Sequence, residues 1–205
     1  YYTTASGNYS TAMGSSTIAS AYYSTAMGRS TTATGDYSTA MGRSTEARAY
    51  QLVIGSYNVI SGSYYSNFSY DPAFIIGNGS TTSTRSNALT AYKNGNLTIS
   101  GTLSQSSDIR LKRNISPLSN VLSSLELISP ITYEFKDQKT HPEGLQIGFS
   151  AQEIKAQFPE LVRENTQGDL TVAYGQMSAV LLQAIKEQQE IIKTLENRIT
   201  KLENK

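Results

Sequence analysis

Within eight residues, Ser106 to Arg113 (SSDIRLKR), the chain sets two hydroxyls, one carboxylate and three cations. A serine hydroxyl is a poor nucleophile until a base takes its proton. A lysine can act as that base only when burial or cationic neighbours lower its pKa toward neutrality. Arg110 and Arg113 flank Lys112 and can contribute to such a shift. Spacing adds a condition, because five residues separate Ser107 from Lys112. That places the two side chains on opposite faces of a straight strand, or about 140° apart on a helix, so a turn or bend has to lie between them if they are to meet. Taken alone, the same pattern also reads as a Ser or Asp capping a helix beside solvated charges.

The stretch stands where the chain changes character. Of the 14 Tyr in 205 residues, twelve precede residue 107, whereas 25 of the 33 charged side chains lie at or after it. Halves so different are expected to hold separate cores, hence at least two domains. Net charge is +1, divided as +2 before residue 107 and −1 after it. Neither half has the cationic excess that a phosphate backbone demands, which excludes nucleic acid as the expected partner. Without Cys there is no disulfide framework and no thiolate metal site, and no metal or cofactor is expected. No apolar run reaches membrane-spanning length, so no membrane partner is expected. The chain begins at Tyr1 without Met and is expected to be a piece of something longer.

Before the junction the sequence repeats. ASGNYSTAMGSSTI (Ala5 to Ile18), ASAYYSTAMGRSTT (Ala19 to Thr32) and ATGDYSTAMGRSTE (Ala33 to Glu46) recur at a period of fourteen, phased by Gly14, Gly28 and Gly42, and a fourth copy runs one residue short to Gly55. Fourteen residues suit two strands and two turns, with alternate strand positions on opposite faces. With a would-be core of Ala, Thr and Met, each coil buries little and needs its neighbours and other chains. These repeats resemble the head of trimeric bacterial adhesins, a left-handed parallel β-roll, over about residues 1–60. That resemblance implies three chains. Met stands here where that family usually has Ile or Val. From Asp71 to Leu103 follow short β-rich runs, with Asn94-Gly95 a hairpin signal. Tyr9, Tyr23 and Tyr37 share one repeat phase. They read either as a surface for a host glycan or receptor or, preferably, as padding outside a narrow coil.

Four blocks follow in order: SDIRLKRNI, VLSSLELISPITYEF, IGFSAQEIKAQFPELV and the segment from LTVAYGQ to the end. Together they resemble the intramolecular chaperone auto-processing domain of phage tailspikes and tail fibres, the endosialidase type also found in myelin regulatory factor. The resemblance implies that Ser107 is the nucleophile, Lys112 the base and Ser106–Ser107 the bond cut, with Asp108 and Arg110 in support. Gly148 is a candidate for bringing backbone N–H groups to an oxyanion, although a glycine in a strand-to-helix turn explains it equally well. His141 is a surface-loop residue, because Gln146 stands where the family often has its histidine.

The end of the chain is a heptad repeat. Leu181, Ile185, Gln188, Ile192, Leu195, Ile199 and Leu202 are spaced four, three, four, three, four, three, with Ile at a and Leu at d except for Gln188. Ile at a with Leu at d leans toward two strands. Arg198 at g and Glu203 at e give instead the pattern of short trimeric coils, and three strands match the head.

The expected fold is mixed α and β: a trimeric left-handed β-roll shaft, then an α+β chaperone domain ending in a parallel three-stranded coiled coil. Expected boundaries are 1–60 for the roll, 61–106 for a β-rich connector, 107–178 for the auto-processing domain and 179–205 for the coil. The expected function is the C-terminal part of a homotrimeric phage tail fibre or spike, or of an adhesin on a bacterial surface. Its last domain would aid assembly and then cut itself off in a single turnover. The alternative is a structural, adhesive fibre with a permanent C-terminal cap.

Overall fold

The computed structural model describes residues 2–204. They form two units, one of residues up to Ser106 together with 135–144, the other of 107–134 with the residues from Leu145 onward.

In the first unit each coil pairs a two-residue strand with a five-residue strand: β1 Thr4–Ala5 and β2 Thr11–Ser15, β3 Ile18–Ala19 and β4 Thr25–Arg29, β5 Thr32–Ala33 and β6 Thr39–Arg43, β7 Glu46–Ala47 and β8 Leu52–Ser56. The short strands build one parallel sheet and the long strands another. Equivalent residues pair directly, Thr11 with Thr25 and Thr25 with Thr39, and the shortened copy still pairs Thr39 with Leu52. The glycines permit this spacing. A Cβ on Gly14, Gly28 or Gly42 would overlap the carbonyl of the glycine in the next coil, and each has φ above +110°.

The interior between the sheets is too thin for large side chains. Ala26, Ala40, Val53, Ala19, Ala33 and Ala47 fill it, with Thr17, Thr31 and Thr45 also buried. Methionine does not belong to this core, contrary to expectation. Strand alternation turns Ala12, Ala26 and Ala40 inward and Met13, Met27 and Met41 outward, where they form a row that Ile54 and Ile76 continue at the far end. Tyr9, Tyr23, Tyr37 and Tyr50 occupy left-handed corners with φ of 52° to 60°. Their rings stack at 4.9, 5.1 and 5.2 Å, and the Lys93 ammonium lies 5.4 Å from the last ring centroid.

The long sheet does not stop at residue 60. After a detour, β9 (Pro72–Asn78) pairs in parallel with β8, setting Gly77 beside Gly55 and burying Ile75 beside Val53. Strands β10 (Asn87–Tyr92) and β11 (Leu97–Ile99) then add antiparallel around the Asn94-Gly95 turn. The short sheet is ended by a side chain. Buried Asn58 accepts the Glu46 N–H at 2.8 Å and donates to the Glu46 carbonyl at 3.0 Å, the two bonds a further coil would make. Asn58→Ala leaves both groups unpaired in the interior and is expected to lower stability by about 2–4 kcal/mol, read by denaturant unfolding.

The second unit packs α1 (Val121–Leu125), the hairpin β12 (Pro130–Tyr133) and β13 (Gln146–Phe149), α2 (Ala151–Gln157), the hairpin β14 (Val162–Glu164) and β15 (Leu170–Val172), and α3 (Tyr174–Glu203). Val121, Ile154, Phe158, Leu161, Met177, Val180 and Ala184 make its core. The Ser150 hydroxyl caps α2 by accepting from the Glu153 N–H. Helix α3 runs unbroken through residues 178 and 179, because its first turns supply core residues and the same helix continues as the heptad segment.

Glu187 on α3 accepts the Leu122 N–H at 2.9 Å and the Val121 N–H at 3.3 Å, giving α1 the N-terminal cap that the Asn120 side chain, at φ 58°, does not supply. The Leu122 N–H, then Gln183, holds the Glu187 carboxyl below the usual range. The contribution to stability is therefore present above the ordinary glutamate range and lost as pH falls through the lowered folded value. Acidification should reduce hydrogen-exchange protection at Val121 and Leu122 before the α2 core. Glu187→Gln should remove that pH dependence.

Candidate functional site

Ser107 and Lys112 meet across a single tight turn. Asp108 starts a 3-10 turn, Ile109–Leu111, by accepting the Arg110 N–H at 2.9 Å on its carboxylate. The Lys112 N–H closes the turn on the Ile109 carbonyl at 3.1 Å. A 3-10 turn advances more tightly than an α-helix and ends here in extended backbone at Lys112. This brings residues five apart to one side, and the Lys112 Nζ donates to the Ser107 Oγ at 2.9 Å. The heavy-atom distance suits proton transfer in either direction: a neutral amine at the same place would accept from the hydroxyl.

The Arg110 guanidinium grips the Asp108 carboxylate, Nη2 to Oδ2 at 2.6 Å and Nε to both oxygens at 3.0 and 3.1 Å. That grip, with the backbone bond, holds the Asp108 carboxyl below its usual range. The acid is thereby committed to the turn and to Arg110, not to Lys112. Every residue from Gly101 to Asn120 is exposed, including Leu103, Ile109, Leu111, Ile115 and Leu118. The pair therefore stands in water in the single chain, and these five large apolar side chains of the same stretch of sequence are also exposed.

Gly148 lies in β13 opposite Ile131. A Cβ there would run into the Tyr174 hydroxyl and the Tyr133 ring, and that same hydroxyl accepts the Phe149 N–H at 3.3 Å. Packing against Tyr174 thus accounts for this glycine. His141 stacks on Phe135 and meets the Thr140 hydroxyl within their own segment. On α3 the residues Leu181, Ile185, Gln188, Ile192, Leu195, Arg198, Ile199, Leu202 and Glu203 are all exposed, so the heptad stripe is unpartnered in one chain. Sequence reasoning missed Glu187 and Asn58. Each is a polar residue whose partner is a backbone group far along the chain, and no local pattern marks it.

Comparison with known proteins shows what each half resembles. Residues 107–163 match the family model described as the chaperone of endosialidase. The YadA head domain repeat matches in overlapping stretches, 1–17, 5–31 and 19–45. The chain thus joins a β-roll similar to YadA head repeats to a stretch similar to the chaperone of endosialidase. Among curated proteins it is similar to the long tail fiber protein Gp37 of Enterobacteria phage K3 and to that of Enterobacteria phage T2. Each is 33% identical over 99 residues, which is 45% of this chain but 8% and 7% of the two relatives. The chain therefore spans less than a tenth of their length.

Proposed function

We propose that this chain is the C-terminal part of a homotrimeric phage tail fibre or a related surface adhesin, and that its last domain guides assembly and then cuts the Ser106–Ser107 bond. The observation that carries the cut is the 2.9 Å contact between Lys112 Nζ and Ser107 Oγ, at the point where the two units divide. Neutral Lys112 takes the hydroxyl proton as Ser107 Oγ attacks the Ser106 carbonyl carbon. The C–N bond breaks, the proton passes to the Ser107 nitrogen, and the acyl group rests on Oγ as an ester. Water then hydrolyses the ester, leaving a Ser106 carboxylate and a free Ser107 amine.

Three chains supply what one lacks. Both units carry an apolar face with no partner, the Met13–Met27–Met41 row on the long sheet and the heptad stripe on α3. Burying such faces is the main favourable term in association. The exposed Ile109, Leu111 and Ile115 take part in the same assembly. Covering them shields the Ser107–Lys112 pair from bulk water, so the cut follows assembly.

The exposure of the whole segment 101–120 favours a second reading, in which no copy covers the pair and the domain stays as a permanent cap. Intact mass measurement and N-terminal sequencing of the assembled protein separate the two. A fragment beginning at Ser107 supports the cut; a chain that stays whole supports the cap.

A further inference from the structure

We propose that the connector carries a binding site for a neutral saccharide, built between the turn at residues 68–72 and the β10–β11 hairpin. Two adjoining concavities of about 420 and 370 Å³ share Tyr70 and Tyr92 as walls, and each falls in the range of small-ligand sites, about 300–1,000 Å³. Ser61, Ser63 and Phe68 line the first; Asn94, Asn96 and Thr98 line the second.

The frame is held by backbone bonds. The Lys93 N–H reaches the Asp71 carbonyl at 3.1 Å, the Asp71 N–H reaches the Phe68 carbonyl at 3.1 Å, and the Tyr92 N–H reaches the Asn96 carbonyl at 2.8 Å. Under the first concavity the Gln51 amide donates to the Ser61 carbonyl at 2.8 Å. Gly62, at φ +96°, has no room for a Cβ against that amide. The backbone that carries the walls is thus held before any ligand arrives, which lowers the ordering cost of binding.

The lining selects the ligand class. Phe68 stacks on Tyr70 at 5.2 Å and 7°, covering one face of a tyrosine that is still 61% exposed. A ring face of this kind suits the C–H side of a pyranose, while amides and hydroxyls at the rim suit its equatorial oxygens. No lysine or arginine is among the described residues lining either concavity, which disfavours a phosphate. The Asp71 carboxylate is turned to the Phe68 N–H at 3.3 Å. An apolar peptide would leave the amides unpaired. Within the tyrosine ladder Tyr23 and Tyr37 offer no such face, because each has a ring stacked on both sides. The site lies wholly within the first unit, so it stands whether or not the chain is cut.

The full chain, wild type and Ser107→Ala, is titrated with the methyl glycosides of glucose, galactose and N-acetylglucosamine, with binding read by saturation-transfer NMR. At least one is expected to saturate. Tyr70→Ala and Asn96→Ala should each weaken it by roughly tenfold, the loss of one stacking or hydrogen-bonding partner. Tyr65→Ala, at an 88% exposed tyrosine outside the cleft, should leave binding unchanged. Weakening by either cleft variant supports the site, and Asn96, an exposed turn residue, decides if Tyr70→Ala folds poorly. No saturable binding of any glycoside, as when another copy covers the cleft, overturns the proposal. So does binding that survives both cleft variants.

Discussion

Ser107→Ala should leave every chain at its full 205 residues after folding, while the wild type resolves into residues 1–106 and 107–205. The alanine keeps the turn, since the cap is Asp108 and the closing bonds are backbone bonds, and removes only the oxygen that Lys112 Nζ contacts. Lys112→Ala removes the base and should have the same outcome, because a nucleophile and its base act as one unit whose single losses cost about as much as the loss of both. A slowing of about a thousandfold or more is expected for each. Ser106→Ala should be cut nearly as fast, since Ser106 supplies mainly its carbonyl. Intact mass and N-terminal sequencing read all four chains. New ends anywhere but Ser107 would refute the assignment of nucleophile and bond together.

Ile192→Asp combined with Leu195→Asp should abolish both assembly and cutting. The two side chains lie on the exposed heptad stripe of α3, well beyond Met177, Val180 and Ala184, which anchor the helix to its own core. Carboxylates brought together at adjacent a and d layers of a trimer would lose several large apolar contacts and add mutual repulsion. The fold of each unit should survive, which circular dichroism checks, while sedimentation shows monomer. If assembly is what covers Lys112, the uncut chain accumulates. Cutting at the wild-type rate by a monomer would break the link between assembly and chemistry.

Much of the fold was legible because backbone constraints leave marks in sequence. Gly14, Gly28, Gly42 and Gly55 recur where one coil's backbone touches the next, so their phase gave the coil length. The fate of methionine was not legible: Ala and Met alternate, and only the thinness of the roll decides that the smaller goes inside. Nor was the return of the sheet at β9, because Ile75, Ile76 and Gly77 follow a detour that breaks the period. A tyrosine at positive φ runs against the usual preference for Gly or Asn there, and the rings that stack on one another come from successive coils, Tyr9 on Tyr23, Tyr23 on Tyr37 and Tyr37 on Tyr50. At the junction, spacing demanded a bend between Ser107 and Lys112, and the turn at Ile109–Leu111 supplies one. What covers that turn depends on other chains, and a single sequence states it only as unexplained apolar residues at 109, 111 and 115.

The amide of Asn58 bears on how such a shaft is measured out. Coils in identical register carry no counter: each presents the same edge that it received, and nothing local says that enough layers have been laid. By occupying the last edge of the short sheet with a side chain, Asn58 makes one terminus different from all interior layers. Length then becomes a tally kept in the gene, rising by one strand spacing of about 4.8 Å for every fourteen-residue unit inserted. A whole unit inserted between the two ends would leave both of them unchanged. A slip of one residue in the pairing of the long strands would put Ala outside and Met inside, whereas the one-residue shortening ahead of Leu52 falls before the strand and leaves Thr39 paired with Leu52.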